Sequence, residues 1–224
     1  MSRNLELSEG EFYHIYNHGN GDRDIFLDDS DRWRFVKLLY LANSINQYHF
    51  SDVSFGEEFD IDREELVTFI GAYCLMDNHY HLLVKEKEAG GISKFIQKLS
   101  TGYTMYFNIK YQKRGSLFEG RFRARHLDDD PYLKYIFSYI HLNPVKMIDK
   151  SWKENGLKNL SKTQKFLEGY KFSSYLDYLG KNRTVNKILN KEEFPEYFIN
   201  DGEIREEMLD WLEYDFPRGS TSGR

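Results

Sequence analysis

The sequence is short of cysteine and of long apolar runs, and both shortages exclude classes of protein. A single cysteine, Cys74, among 224 residues rules out an internal disulfide and is typical of a reducing compartment. No stretch approaches the roughly 20 apolar residues that a membrane-spanning helix needs. Residues 1–12 also lack the apolar segment of a signal peptide. We therefore expect a cytoplasmic protein that has no membrane partner.

An excess of positive charge is absent as well. The formal net charge is -5, which by itself argues against a nucleic-acid partner, because phosphates are neutralised by Lys and Arg. The cations are concentrated, however: eight of them lie between Lys94 and Arg125, against one anion, Glu119. This segment predicts a local nucleic-acid-binding surface. The alternative is a solvated helix face followed by a charged strand.

Apolar and aromatic residues are plentiful, and their spacing predicts the secondary structure. They make up 40% and 17% of the chain, enough for one substantial core. Alternating patterns predict four strands, at residues 11–18, 66–76, 79–85 and 117–127. Helical spacing predicts three helices, at residues 31–46, 92–111 and 131–143. Ser30 is expected to cap the first of these helices and Asp130 the last.

The order of these elements predicts the fold and the domain organisation. Strand, helix, strand, strand, helix, strand is the split βαβ pattern of a ferredoxin-like α+β domain with an antiparallel sheet. The third helix follows, and residues 1–150 are expected to contain the whole unit. Residues 151–224 are expected to form a C-terminal extension of two or three short helices packed on the core. The final segment, from Phe216, is expected to be disordered.

The segment His79-Tyr80-His81 carries the sharpest local signal for chemistry. Residues i and i+2 of a strand point to the same face, so both imidazoles project together while Tyr80 points the other way. Two imidazoles side by side are suited to hold one divalent cation. The alternative is a pair of structural histidines with satisfied hydrogen bonds.

The predicted helix after the basic strand carries a second candidate group. Tyr139 and Asn143 are four residues apart and therefore neighbours on one helical face. An amide oxygen there could complete a metal site and place the phenol of Tyr139 close to a metal-bound group. Tyr132 and Tyr135, on the same helix, are interpreted as core residues.

Several segments in a fixed order resemble one protein family. YHIYNHG, AYCLMDNHYHLLV, GYTMYFNIKYQKRGSLFEGRFRA, YIHLNPVK and YKFSSYLDYLG are similar to the REP-associated tyrosine transposases. These are relatives of the insertion-sequence single-strand transposases in the HUH endonuclease superfamily. The resemblance covers residues 11–180. Two positions depart from the usual pattern: His18, where arginine is usual, and Glu119, where glutamine is common.

The resemblance implies an activity and a role for each candidate residue. His79 and His81 match the metal-binding histidines, Asn143 the third ligand, and Tyr139 the nucleophile. The implied reaction is cleavage and rejoining of single-stranded or hairpin DNA through a 5′-phosphotyrosine. Open coordination positions beside these ligands favour Mg²⁺ or Mn²⁺. The protein is expected to act as a monomer or a homodimer.

The basic segment then acquires a role in DNA binding. The cations expected to follow the DNA backbone are Lys94, Lys98, Arg121, Arg123 and Arg125. Rings of Tyr103, Tyr106 and Phe122 are candidates for base stacking. Two alternatives stay open: a non-catalytic nucleic-acid-binding module of the same fold, and a metal-dependent nuclease that uses water.

Overall fold

Four strands form one antiparallel sheet in the computed structural model, which describes residues 6–48, 52–54, 56–197 and 200–213. The strands are β1 (Phe12–His18), β2 (Thr68–Leu75), β3 (His79–Glu86) and β4 (Arg123–His126). Their order across the sheet is β2-β3-β1-β4, and each neighbouring pair is antiparallel. The ferredoxin-like α+β prediction is therefore confirmed.

Two long helices cover one face of this sheet. They are α1 (Asp29–Leu41) and α2 (Gly91–Lys110). Tyr80 of β3 points into this layer, where its ring centroid lies 4.9 Å from that of Phe35 on α1. Tyr103 of α2 lies 5.0 Å from the same Phe35 ring and is fully buried. The main aromatic core thus lies between the sheet and these two helices. Tyr103 belongs to this core and is not exposed, so it cannot stack on a DNA base as predicted.

A third helix, α3 (Asp130–Leu142), packs on the opposite face of the sheet. Five short or terminal helices follow: α4 (Val145–Ile148), α5 (Trp152–Asn155), α6 (Leu160–Leu167), α7 (Tyr175–Tyr178) and α8 (Asp201–Glu213). Four of them lie beyond residue 150 in the described part of the chain, one more than the sequence analysis allowed. None of the described helices is long and apolar enough to cross a membrane.

The C-terminal part also covers the exposed edge of the sheet. Leu75 N–H donates to the carbonyl of Phe172 (3.0 Å), and Ser174 N–H donates to the carbonyl of Tyr73 (3.0 Å). Further along β2, residue 190 donates to the carbonyl of residue 70 (2.9 Å). An edge strand with unpaired backbone groups invites pairing with another chain, and these contacts prevent it. The division at residue 150 stays a prediction, and the expected tail from Phe216 lies outside the described residues.

Four predicted boundaries are wrong for identifiable reasons. Asp28, and not Ser30, caps α1, because its carboxylate accepts from the Asp31 N–H (3.0 Å) while Asp31 bonds back in a capping box. That helix ends at Leu41 because the side chain of Asn43 binds the start of β2, accepting from Thr68 N–H (3.1 Å).

The other two errors lie beside the third helix. Asp129, and not Asp130, caps α3, since its carboxylate accepts from Tyr132 N–H (2.7 Å). Strand β4 covers only the end of the predicted 117–127 segment. Gly120 adopts a positive φ of 66° there, which interrupts the extended backbone before Arg123.

Candidate active site

The candidate site lies on the sheet face that meets α3, and strand register explains which residues it contains. Residues directly opposite each other on antiparallel strands project to the same face. Tyr16 of β1 lies opposite His81, and His18 lies opposite His79. On its other side Tyr16 lies opposite Arg123 of β4. These side chains line an open cleft of about 1030 Å³, which also includes His14, Arg125 and Tyr139.

The two predicted histidines are brought together with their Nε2 atoms available. Their ring centroids are 4.9 Å apart. Nδ1 of His79 lies 2.6 Å from Oδ1 of Asn78. Because an amide oxygen only accepts, Nδ1 of His79 must donate, and the neutral ring then carries its lone pair on Nε2.

His14 makes a hydrogen bond with the second histidine. Its Nε2 lies 2.9 Å from Nδ1 of His81, and the two rings stack at 5.0 Å. Nε2 of His81 is buried and has no protein partner. Burial lowers the pKa of His14 to about 4, with the charge of Arg125 adding to the shift, and it lowers the pKa of His79 to about 4. Burial also holds the pKa of His81 well below its usual range. Neutral imidazoles are the form that binds metals.

Tyr139 reaches this cluster from α3. Its ring meets His81 edge-on at a centroid distance of 5.5 Å and His14 at 5.9 Å. Burial raises the pKa of the Tyr139 phenol, and the nearby Asn143 side chain opposes that rise. The sequence-predicted tyrosine and histidines therefore form one contiguous group.

Asn143, the last of the four predicted residues, lies at the end of α3. Its side-chain nitrogen donates to the backbone carbonyl of Tyr139 (3.0 Å), and its Oδ1 is buried with no protein partner. It does not line the large cleft but a smaller cavity that Tyr139 also lines. Among the described residues, no three His, Cys, Asp or Glu side chains group as a metal site. The buried orphan atoms, Nε2 of His81 and Oδ1 of Asn143, are nevertheless the donors that a divalent cation would use.

The predicted DNA-binding cations are divided between two faces. Arg123 and Arg125 line the cleft, and the guanidinium of Arg125 lies 4.6 Å from the ring centroid of Tyr132. Arg121 is exposed but is not among the cleft residues. Lys94 and Lys98 lie on α2, across the sheet from the histidines. Lys98 is also held internally, since its amine donates to the backbone carbonyl of residue 44 (2.7 Å).

The two neighbouring tyrosines of α3 are not core residues, contrary to the sequence interpretation. Tyr132 and Tyr135 are half-buried and line the cleft. The ring of Tyr135 also meets Trp211 of α8 at 5.1 Å. Helix α3 therefore presents a row of phenol rings along the cleft wall, and its apolar residues face the sheet.

Sequence reasoning missed the contribution of β1. His14, Tyr16 and His18 alternate along that strand, so a shared face was visible, but nothing local indicated that this face meets His81. His18 Nδ1 lies 2.9 Å from Glu119 Oε2 at the cleft. His18 and Glu119, the two positions that depart from the family pattern, therefore contact each other and belong to the same part of the cleft.

Comparisons with known proteins concern the family and the fold. Residues 61–143, which include β2, β3, α2, β4 and α3, match a family model described as "Transposase IS200 like". No curated protein matches the chain. A solved structure described as the REP-associated tyrosine transposase bound to a REP hairpin is similar over 90% of this chain and 92% of that chain, with a TM-score of 0.53 and 12% identity. At that identity the likeness concerns the fold. The resemblance predicted from the sequence is confirmed: residues 61–143 of the chain are similar to the IS200-like transposases.

Proposed function

We propose that the protein cleaves and rejoins single-stranded DNA, with Tyr139 as the nucleophile. The observation that supports this most strongly is the contact of the Tyr139 ring with His81 and His14 inside an open cleft. This contact places a phenol beside the imidazoles that we propose as metal ligands, which is the position that a nucleophile in phosphoryl transfer would need. Arg123 and Arg125 on the cleft wall would bind the phosphates on either side of the bond.

The reaction exchanges one phosphodiester for another. The Tyr139 oxygen attacks the scissile phosphorus, and the bond from phosphorus to the 3′ oxygen breaks. The phenolic proton is lost to solvent, and the departing oxygen takes up a proton to become a free 3′-OH. The 5′ phosphate remains esterified to Tyr139. Since one ester replaces another, a 3′-OH can reverse the step and reseal the strand without an energy-rich cofactor.

A divalent cation fits the buried donor atoms of this site. His79 and His81 would hold Mg²⁺ or Mn²⁺ through their Nε2 atoms, and Oδ1 of Asn143 would be the third donor. When bound, the cation would neutralise charge on the scissile phosphate and on the departing oxygen. Asn78 and His14 bind the other ring nitrogen of each histidine and so fix the orientation of both rings.

Hairpin DNA is the substrate that we propose within this class. The similar solved structure is described as bound to a REP hairpin, and the cleft here is open at its mouth. All four proposed catalytic and metal-binding residues fall within residues 1–150, which supports the proposal that this part is the catalytic domain. The two alternative functions would give different products. A nuclease that activates water would release two free DNA fragments, and a module that only binds DNA would release none.

The test is a cleavage assay with end-labelled oligonucleotides, single-stranded or carrying a hairpin of random sequence. With Mn²⁺, we expect one fragment with a 3′-OH that a polymerase can extend, and the other fragment attached to protein after denaturation. EDTA or His79→Ala should abolish both. Two free fragments without a protein-linked product would indicate a water-using nuclease. Binding without any cleavage would indicate the non-catalytic module.

A further inference from the structure

A lysine outside the family motifs lies against the proposed nucleophile. Tyr139 lines a small second cavity together with Trp152 and Lys153, the first two residues of α5. The amine of Lys153 lies 4.8 Å from the centroid of the Tyr139 ring and 5.5 Å from that of Trp152. Trp152 is 3% exposed. A buried indole therefore fixes the start of α5 and keeps the ammonium group over the phenol ring.

The position of this amine is unfavourable for a charge in the resting protein. Burial lowers the pKa of Lys153 to about 8; the nearby charge of Lys146 lowers it further, and Glu154 opposes both. The geometry of the amine is specific, because it lies over the ring of Tyr139 at 4.8 Å and over that of Trp152 at 5.5 Å. An ammonium group in this position is close enough to interact with charge on the Tyr139 ring.

We propose that Lys153 is a positioning residue that stabilises the negative charge which develops on Tyr139 during DNA cleavage. The inference rests on the proposed function and deepens it. The attacking oxygen gives up its proton and carries negative charge in the transition state, so a fixed positive charge beside the ring favours the step. The negative charge of a phenolate is spread over its ring carbons as well as its oxygen. A cation over the ring face therefore stabilises the phenolate more strongly than the neutral phenol, and this difference accelerates the step.

The same contact serves both directions of the reaction. In cleavage, the bond from Tyr139 to phosphorus forms while the bond to the 3′ oxygen breaks, and the phenolic proton passes to solvent. In rejoining, the 3′ oxygen attacks and the Tyr139 phenolate is the leaving group, which later takes a proton back. Lys153 keeps its own proton throughout. It should therefore affect both rates and leave their ratio unchanged.

The test uses the full chain and three variants. Lys153→Met keeps the length and apolar stem but removes the charge, and Lys153→Arg restores a cation. Lys150→Met removes an exposed cation from the same segment and serves as the matched control. Each variant is assayed for kcat and KM of adduct formation on a labelled oligonucleotide, for the rate of strand rejoining, and for its thermal midpoint.

We expect Lys153→Met to lower kcat for cleavage and for rejoining by about tenfold, which corresponds to about 1.4 kcal/mol, with little change in KM. Lys153→Arg should recover most of the rate, and Lys150→Met should match the wild type. A wild-type kcat in Lys153→Met would overturn the inference. A Lys153→Arg variant as slow as Lys153→Met would also overturn the inference, because the lower rate would then come from altered packing and not from the missing charge. Failure of the wild-type chain to form any adduct would instead reject the proposed function, and this inference with it.

Discussion

Replacing His14 with Phe tests whether the histidine pair is held in place for a metal. The substitution keeps an aromatic ring that can stack on His81 and removes the 2.9 Å hydrogen bond between the two imidazoles. Both side chains are at least 94% buried, so Nδ1 of His81 loses its partner without access to water. An unsatisfied buried group of this kind costs about 1–3 kcal/mol of unfolding free energy. Loss of a partner that orients a metal ligand typically costs about 10–100-fold in metal affinity or activity.

The assay is the rate of DNA nicking as a function of free Mn²⁺. His14→Phe should move the half-saturating concentration upward by about 10–100-fold, and most of the rate should return at saturating metal. His126→Phe is the matched control, because its Nε2 binds Glu11 (2.7 Å) on β4 away from the cleft. An unchanged Mn²⁺ dependence in a folded His14→Phe protein would refute the idea that His14 orients the ligand.

Two further predictions concern charge. The double variant Arg123→Glu, Arg125→Glu should weaken single-stranded DNA binding and reduce the slope of log affinity against log salt by about one per lost phosphate contact. Lys94→Glu, which changes a cation on the other side of the sheet, should leave both the affinity and the slope unchanged. An equal loss of affinity in the two proteins would contradict the placement of the binding surface in the cleft. Lys110→Met should lower the unfolding free energy at pH 7 by about 2 kcal/mol, the size of a hydrogen bond to a charged group, because the lysine binds the buried carboxylate of Asp31 at 2.7 Å. Burial alone would raise the pKa of that carboxyl, but bonds from Lys110 and nearby hydroxyls hold it below its usual value of about 3.9. The stability that this ion pair contributes is therefore present above pH 4 and is lost as the pH falls through the lower pKa that Asp31 has in the folded protein. The difference in unfolding free energy between wild type and Lys110→Met, measured in urea, should be smaller at pH 3 than at pH 7. An equally large difference at pH 3 would contradict the prediction.

The parts of the site that lie within one element could be predicted from the sequence. Alternation along β3 indicated that His79 and His81 would share one face and that Tyr80 would point to the other, and the structure agrees. Helical spacing likewise indicated that Tyr139 and Asn143 would be neighbours, and the two are hydrogen-bonded. Strand and helix periods are local properties, so the residues alone contain this information.

The parts that depend on tertiary contacts could not be predicted. His14 enters the site because β1 pairs with β3 in the register that puts Tyr16 opposite His81, and register is fixed by the whole sheet. Lys153 contacts Tyr139 only because a buried Trp152 holds α5 beside α3. The basic segment was predicted to form one DNA-binding surface because its charges are close in the sequence. In the structure, Lys94 and Arg125 lie on different sides of the sheet.

The most direct test of the account is to identify the residue that becomes linked to DNA. The chain is incubated with labelled single-stranded oligonucleotides and Mn²⁺, denatured and digested, and the nucleotide-bearing peptide is sequenced by mass spectrometry. We predict that the nucleotide is attached to Tyr139, that Tyr139→Phe forms no adduct while keeping its fold and DNA affinity, and that Tyr135→Phe reacts like the wild type. An adduct on Tyr135, or one that persists in Tyr139→Phe, would contradict the account.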